Sequence, residues 1–401
     1  MIPPGQQDAR HAHDPKRLRL FETTATATFL HRPNRFVVTC LLDGRALPAY
    51  LPNPGRLREL LLPGRKLYLA KNNGTGAFTH TVVAVERDGR PVMLHTHMAN
   101  RVAEWLLRNG AVPGCEDAII VRREAPAGRS RFDFLIEQGG ARCFMEVKSC
   151  TLFEGPTAMF PDAVTSRGRR HLLELADMSK NGMAGKVIII INSPGVRWFL
   201  PDYHTDPAFA DAMLSTRGKI GFTPLAVDWN DDLTMSSPPR MVTIPWDVVE
   251  REARDSGSYI LLLRFDTDHR ITVGRLGTVF FPAGYYCYAG SAKQGLSKRI
   301  ARHLRKRKNH HWHIDYLRNE ADQVSALPIR SSDRLECNIA ASLDQIADWS
   351  VPGFGCSDCS CDSHLFGMLN DPWINEEFID LLQYFRIGRL RTRLERPRSP
   401  F

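Results

Sequence analysis

Two acids and a lysine are the first residues whose types and spacing suggest chemistry. Asp133 lies in Ser130-Arg131-Phe132-Asp133-Phe134, and Glu146 and Lys148 lie in Glu146-Val147-Lys148, the acids being 146 − 133 = 13 positions apart. That separation suits adjacent antiparallel strands, and alternation places Glu146 and Lys148 on one strand face, so all three can converge. Mg²⁺ or Mn²⁺ takes hard oxygen ligands and keeps waters, so two carboxylates and a scissile phosphate make a sufficient site, where an ammonium can position or help deprotonate water. The plain alternative is a surface hairpin with an exposed acid and a Glu/Lys pair. Arg299 and His303 lie four apart and share a helical face, while Leu296, Ile300 and Leu304 form that helix's apolar stripe. A guanidinium there can grip a phosphate through two hydrogen bonds. Lys298 and Arg302, candidate phosphate contacts, also read as part of a solvated basic face. Cys356, Cys359, Cys361 and His364 have a compact spacing that could bind structural Zn²⁺, with Cys337 as a fifth candidate, against the alternative of buried thiols and a core histidine.

The elements that must position these residues follow from the period of the apolar side chains. Short alternating or β-branched runs at 24–30, 36–42, 66–71, 79–86 and 91–95, separated by Gly, Pro and Asn, predict a small β-barrel over 18–96. Val102 and Leu106 predict a helix at 99–109, which opens a mixed α/β unit over 97–245. Its further elements are strands at 117–124, 133–136 and 143–148, a helix at 168–179 and a buried strand at 186–191. After an irregular margin at 228–245 and a linker at 246–256, an α+β unit occupies 257–370. It reads as strands at 259–266 and 285–289, a basic helix from 296 to about 306, a helix from about 333 to 347, and a Cys-rich irregular segment. Residues 1–17 read as a flexible tail, and 371–401 as a helical then Arg-rich tail that either contacts phosphate or is simply soluble.

A chain of 401 residues is too long for one ordinary core and implies a multidomain protein. Hydrophobic residues at 43% and charged residues at 24% place it with soluble globular proteins and away from disordered chains. The excess of 53 Lys+Arg over 44 Asp+Glu, +9 overall, favours a polyanionic partner. The apolar run from Val187 to Ile191 is far shorter than the roughly 20 residues of a membrane span, and Met1 to Leu20 lacks a secretory pattern, so a cytoplasmic protein without membrane partners is expected. Nine cysteines in a reducing compartment read as free thiols or metal ligands.

The D…ExK run resembles the PD-(D/E)xK nuclease pattern. That likeness makes Glu104, on the preceding helix, a candidate third metal-binding acid, with Glu124 its rival. More widely, Arg32-Pro33-Asn34-Arg35-Phe36, Leu51-Pro52-Asn53-Pro54-Gly55-Arg56-Leu57, Glu59-Leu60-Leu61, the two acidic segments, and Phe160-Pro161-Asp162-Ala163-Val164-Thr165 with Arg167-Gly168 and His171-Leu172 resemble the sugar fermentation stimulation protein family, SfsA. The resemblance covers roughly 18–245 and implies an OB-like barrel, a PD-(D/E)xK-type domain and DNA binding. It makes Arg35, Asn53, Arg56, Arg131 and Arg167 candidate nucleic-acid contacts, although a tight Pro-Gly turn explains Asn53 and Gly55 as well.

In the last unit, Gly257-Ser258-Tyr259 and Tyr286-Cys287-Tyr288-Ala289-Gly290 resemble the halves of the GIY-YIG nuclease signature, in a subfamily known mainly as a domain of unknown function. The resemblance implies a phenol acting as base (Tyr259 or Tyr288), Arg299 on the phosphate, His303 beside them, and Glu336 as the carboxylate of a one-metal site. Tyr286 competes with Tyr288, but the Tyr-x-Gly order favours the latter. An ordinary capping box, Asp333-x-x-Glu336, is the alternative for the acid. The long spacing between the halves implies an extra hairpin at about 264–282. The sequence therefore points to a metal-dependent endonuclease acting on DNA, or RNA, with a 257–370 fragment expected to fold and cut by itself. The competing reading is a DNA-binding regulator whose nuclease-like folds do not cut.

Overall fold

The computed structural model describes residues 17–396 other than 23, 73, 75, 181, 236 and 237. Of the expected tails 1–17 and 371–401, residues 1–16 and 397–401 lie outside the described residues; Arg17, at the edge of the first, pairs with Asp232 at 2.7 Å.

Thr24–Asn34 alternates, burying Ala27 and Phe29 and presenting polar residues outward, and it sits between Val37–Leu42 and Lys66–Lys71. Arg45–Tyr50 lies beside Val37–Leu42 through a turn at Asp43-Gly44, where both residues have positive φ, the geometry of a two-residue hairpin. A parallel pairing of Tyr50 with Thr81 of His80–Arg87 closes these five strands into a barrel.

The second unit is a six-stranded sheet in the order Arg240–Met241, Gly221–Ala226, Ala184–Ile191, Ala141–Cys150, Ser130–Gln138, Ile119–Ala127. Ala141–Cys150 pairs antiparallel with Ser130–Gln138 and parallel with Ala184–Ile191, whose Val187–Ile191 run is buried on both faces as a central parallel strand requires. Helix Met98–Arg108 covers one face with Val102, Trp105 and Leu106, and helices Ser166–Ser179 and Pro207–Thr216 cover the other with Leu172, Leu175 and Phe209.

The third unit is an antiparallel sheet ordered Gln323–Arg330, Gly257–Phe265, Gly284–Ala292, Leu365–Met368, Trp349–Ser350. The expected extra hairpin is His269–Thr272 with Thr278–Phe281. Helices Leu296–Leu304 and His313–Glu320 pack on one face, and Glu336–Ile346 and Glu376–Arg386 on the other.

Three expectations fail here for one physical reason, tertiary burial. The 246–256 linker contains helix Trp246–Glu252, with Val248 and Val249 buried against Tyr203 and Leu390. The tail after 370 supplies Phe378, Ile379, Leu381, Leu382 and Phe385 to the third core, so a fragment ending at 370 would expose that face. Much of the described Arg-rich end is bound internally, although Arg391 and Arg396 are exposed. Arg386 is buried and donates to Pro328 O at 3.0 Å, and Arg389 and Arg393 both hold the fully buried Glu252. The third unit is also locked to the others: Arg330 donates to the carbonyls of Tyr203 at 2.9 Å and His204 at 3.2 Å, and Leu62 of the barrel unit enters the core of helix Glu376–Arg386. No helix among the described residues is long and apolar enough to cross a membrane.

Three acids lie near one another beside the 51–57 loop: Glu59 and Asp202, both buried, and the half-buried Asp162. Asp162 accepts from Leu57 N, while Arg32 collects the carbonyls of Asn53, Gly55 and Arg56, so the 51–57 loop is clasped from both sides. Burial, with Asp162 nearby, pushes the Glu59 carboxyl up from 4.5 to about 7. An acid raised by folding removes stability as pH rises from its ordinary value through the raised one, and the loss is constant above it. Glu59→Gln should therefore match the parent near pH 4.5 and gain with pH. The difference 7 − 4.5, at about 1.4 kcal/mol per pH unit, sets a ceiling of about 3.5 kcal/mol above neutrality. Urea midpoints of both proteins across this range test it; a gap independent of pH would contradict the assignment.

Candidate functional site

The hairpin Ser130–Gln138 to Ala141–Cys150 turns at Gly139-Gly140, both at positive φ (57° and 78°), and its register runs to Phe134 opposite Met145. Continuing that register sets Asp133 opposite Glu146, and the period of two adds Lys148. The Asp133 carboxylate is held on both oxygens: Val147 N donates to Oδ2 and Asn100 Nδ2 to Oδ1, each at 2.7 Å. Burial and the neighbouring Glu146 raise its pKa, with those two hydrogen bonds opposing. Glu146 is buried as well, which by itself raises its pKa, but His171 and Lys148 outweigh burial and bring it below the ordinary value. Lys148 Nζ bonds Glu146 Oε1, and His171 Nδ1 lies 2.7 Å from the same oxygen. Arg167 Nε donates to His171 Nε2 at 3.4 Å, on the side of the ring away from the carboxylate. Glu146 Oε2 is buried and has no hydrogen-bond partner among the described residues.

The other expected residues fall on both sides of the line. Glu104 is engaged elsewhere: Arg108 at 2.9 Å and Arg123 of strand Ile119–Ala127 hold its carboxylate. Glu124 sits across the ladder from Asp133, between the pairs Arg123–Phe134 and Ala125–Phe132, exposed and in the left-handed region at φ 47°. Arg35, Arg56, Arg131 and Arg167 are exposed. Asn53 is not available to a nucleic acid, since it is buried and its side chain donates to Leu94 O and accepts from Gly55 N, both at 2.9 Å.

The second centre forms on the sheet face covered by the basic helix. Tyr259 lies opposite Gly290, where an added Cβ would come within 2.4 Å of the phenol oxygen; glycine is needed there for the ring to lie across the strand. Tyr288 is its neighbour at 6.5 Å between ring centroids, whereas Tyr286 spends its hydroxyl on Pro282 O at 2.8 Å. Tyr259 Oη is 2.9 Å from His303 Nε2, and His303 Nδ1 is 3.5 Å from Asp315 Oδ1. Asp315 is fully buried and receives both guanidinium nitrogens of Arg302 at 3.1 and 3.0 Å, Lys308 at 2.8 Å, and the N–H groups of His311 and Trp312. Burial acts to raise the Asp315 carboxyl, but these partners hold it far below the usual carboxylate range. Arg302 is thus a brace for Asp315, not a free phosphate contact; Lys298 stays exposed. Arg299 stacks on Trp312 at 4.3 Å. Glu336 accepts from Ser291 and lies 3.5 Å from His364; burial raises its pKa, but those contacts bring it below its ordinary value. Burial drives the Tyr259 hydroxyl well above its usual range, so the phenol is neutral at rest.

The cysteine cluster differs from expectation by one member. Cys337 joins Cys359, Cys361 and His364, while Cys356 Sγ turns toward Asp362 O at 3.6 Å. All nine cysteines are free.

A barrel followed by a carboxylate-bearing α/β sheet and a third α+β unit defines the class of protein. Residues 30–94 match the SfsA N-terminal OB domain, 97–232 the sugar fermentation stimulation protein RE domain, and 258–387 the domain of unknown function DUF123. The sugar fermentation stimulation protein homologue of Methanothermobacter thermautotrophicus is 34% identical over 232 residues, covering 57% of this chain and 96% of that protein. The Moorella thermoacetica homologue is 39% identical over 190 residues, 47% of this chain and 82% of its own. The chain belongs to the SfsA family and carries a DUF123 domain after it. The structure of Pyrococcus furiosus SfsA in complex with Ca²⁺ superposes with a TM-score of 0.53 at 28% identity, covering 57% of this chain and 98% of that one.

His171, Asn100 and Asp315 are the site residues that spacing alone did not single out. Breaking a buried charge cluster from one side strands the remaining charges, at roughly 3–5 kcal/mol. Asp315→Asn should therefore lower the stability of the third unit by about that much, read as lost hydrogen-exchange protection in strand Gly257–Phe265. A loss below about 1 kcal/mol would mean that Arg302 and Lys308 are solvated without it.

Proposed function

We propose that the chain is a metal-dependent nuclease that hydrolyses phosphodiester bonds in DNA or RNA, with one centre at Asp133, Glu146 and Lys148 and a second, of GIY-YIG type, at Tyr259, Tyr288, Arg299, His303 and Glu336. The observation that carries the proposal is Glu146. It is a buried, ionised carboxylate with two cationic or hydrogen-donating neighbours on Oε1 and an unpartnered Oε2 beside the fixed carboxylate of Asp133. A buried anionic oxygen without a donor suits a hard divalent cation, and the Ca²⁺ complex of the Pyrococcus relative supports a cation in this family. Bound there, Mg²⁺ or Mn²⁺ supplies positive charge to the phosphate oxygens. Lys148 positions the attacking water, His171 fixes Glu146, and Asn100 and the Val147 N–H fix Asp133.

At the second centre, His303 Nε2 accepts the Tyr259 proton when the phenol oxygen acts on water, and ionised Asp315 steadies the imidazole through Nδ1. Arg299 grips the phosphate and Glu336 is the cation's carboxylate. Exposed Arg35, Arg56, Arg131, Arg167 and Lys298 supply phosphate affinity that does not depend on base sequence.

Labelled single- and double-stranded DNA and RNA, incubated with Mg²⁺ or Mn²⁺ with and without chelator, test the function. In a Glu336→Gln background, Lys148→Ala should lower cleavage by about 10²-fold or more, while binding changes only slightly because one lysine is a small part of total phosphate affinity. Binding without any cleavage would instead support a regulator. The logarithm of the binding constant should also fall linearly with the logarithm of salt concentration, and a flat slope would exclude the basic surface as the binding site.

A further inference from the structure

Outside both centres, four soft or borderline ligands from separate segments meet at the surface of the third unit. Cys337 comes from the first turn of helix Glu336–Ile346, Cys359 and Cys361 from the loop that follows strand Trp349–Ser350, and His364 from the residue before strand Leu365–Met368. Their ligand atoms all lie within 4.8 Å of one another, and Cys359 Sγ is 3.4 Å from His364 Nε2. A tetrahedral zinc with Zn–S bonds of ~2.3 Å sets ligand atoms ~3.8 Å apart, so this arrangement needs only a small contraction.

The loop itself argues for a clip. From Gly355 to Ser363 it reads Gly-Cys-Ser-Asp-Cys-Ser-Cys-Asp-Ser, without one aliphatic or aromatic side chain to bury. Its ends are tied by Gly353 N to Asp362 O at 2.8 Å and His364 N to Phe354 O at 2.8 Å, which leaves the thiols as the groups able to fix its middle. His364 is buried, with Nε2 on the thiol side and Nδ1 3.5 Å from Glu336 Oε1. A metal-binding histidine is commonly held in this way, with its far nitrogen donating to a carboxylate that sets tautomer and orientation.

We infer that Cys337, Cys359, Cys361 and His364 Nε2 bind one Zn²⁺, and that Glu336 orients the histidine ligand from behind. The same carboxylate then serves two centres: Oε1 faces the zinc ligand, while Oε2 accepts from Ser291 on the cleft side. Zinc also anchors Cys337, the neighbour of Glu336 on the helix, so the soft-metal clip sets where the cleft's carboxylate stands. Zinc binding itself does not require that the chain cut nucleic acid.

Full-length protein is loaded with zinc under reducing conditions and its metal content measured, and Co²⁺ is substituted to report the ligands by absorption. One zinc per chain and the intense bands of a tetrahedral thiolate Co²⁺ site are expected. Cys337→Ser and Cys361→Ser should each lose them, and Cys356→Ser should keep them. Glu336→Ala should retain the Co²⁺ spectrum but bind zinc about 10- to 100-fold more weakly in competition with a chromophoric chelator. No bound zinc, thiols recovered as disulfide, or loss of metal in Cys356→Ser with retention in Cys337→Ser would overturn the site. Unchanged zinc affinity in Glu336→Ala would overturn the link to the cleft while leaving the nuclease proposal standing, because that proposal is read from cleavage by Glu336→Gln. The wild-type Co²⁺ spectrum decides the site even where a cysteine variant folds poorly.

Discussion

Ionised carboxylates held where water cannot serve them are the constraint on which this molecule depends. Glu146, Asp315 and Glu252 are each 5% exposed or less at the side chain, and each draws in a partner from another element: His171 for Glu146, Arg302 for Asp315, and the distant Arg389 and Arg393 for Glu252. A buried anion is tolerable only if cations and N–H groups converge on it, so each acid dictates the packing around it. Asp315 shows the completed case: Arg302, Lys308, His303 and two backbone N–H groups surround it, and the basic helix is thereby fixed against helix His313–Glu320. Glu252 gathers Arg389, Arg393 and Ser332 and so joins the segment after the central sheet to the chain's last helices. Glu146 is the incomplete case, with one oxygen served by Lys148 and His171 and the other without a protein donor.

The same logic explains why the three units form one body. His204 is buried and neutral; burial first, then the nearby Arg386 and Arg389, hold its pKa well below the ordinary value. Its Nδ1 accepts from Arg330 N at 2.9 Å, and its Nε2 meets Arg386 O at 3.0 Å, so one imidazole connects the central unit to both the sheet and the last long helix of the third. Arg58 stacks on Trp373 at 3.2 Å from the ring centroid, tying the barrel unit to the same region. Covalent fusion is therefore matched by a polar and apolar interface that fixes how the SfsA portion and the DUF123 domain face each other.

Where placement follows a strand's period, the sequence was readable. Asp133, Glu146 and Lys148 obey alternation within one hairpin, and Tyr288, Arg299 and His303 follow from the Tyr-x-Gly order and an i,i+4 pair. His171 was less legible because a helix residue reaches Glu146 only through the crossover between parallel strands, which spacing does not encode. Asp315 reads locally as an ordinary helix-capping acid, and only its tertiary partners mark it as the brace of His303. Cys337 displaced Cys356 because nearness in space follows the helix start, not compact spacing along the chain. Glu104 had the right helix but two arginines within reach, and Asn53 had the right loop but belongs to that loop's own hydrogen bonds. Arg389 and Arg393 looked solvated because a sequence shows charge, not the buried Glu252 that receives them.

The central claim is that two separate carboxylate centres in one chain each hold a hard divalent cation. Mn²⁺ titration of the full-length protein, followed by electron paramagnetic resonance, counts them directly. The account predicts two sites in the parent chain, one in Glu146→Gln, one in Glu336→Gln and none in the double variant. An unchanged count in Glu146→Gln would contradict it, because the buried oxygen of Glu146 would then have no cation to serve.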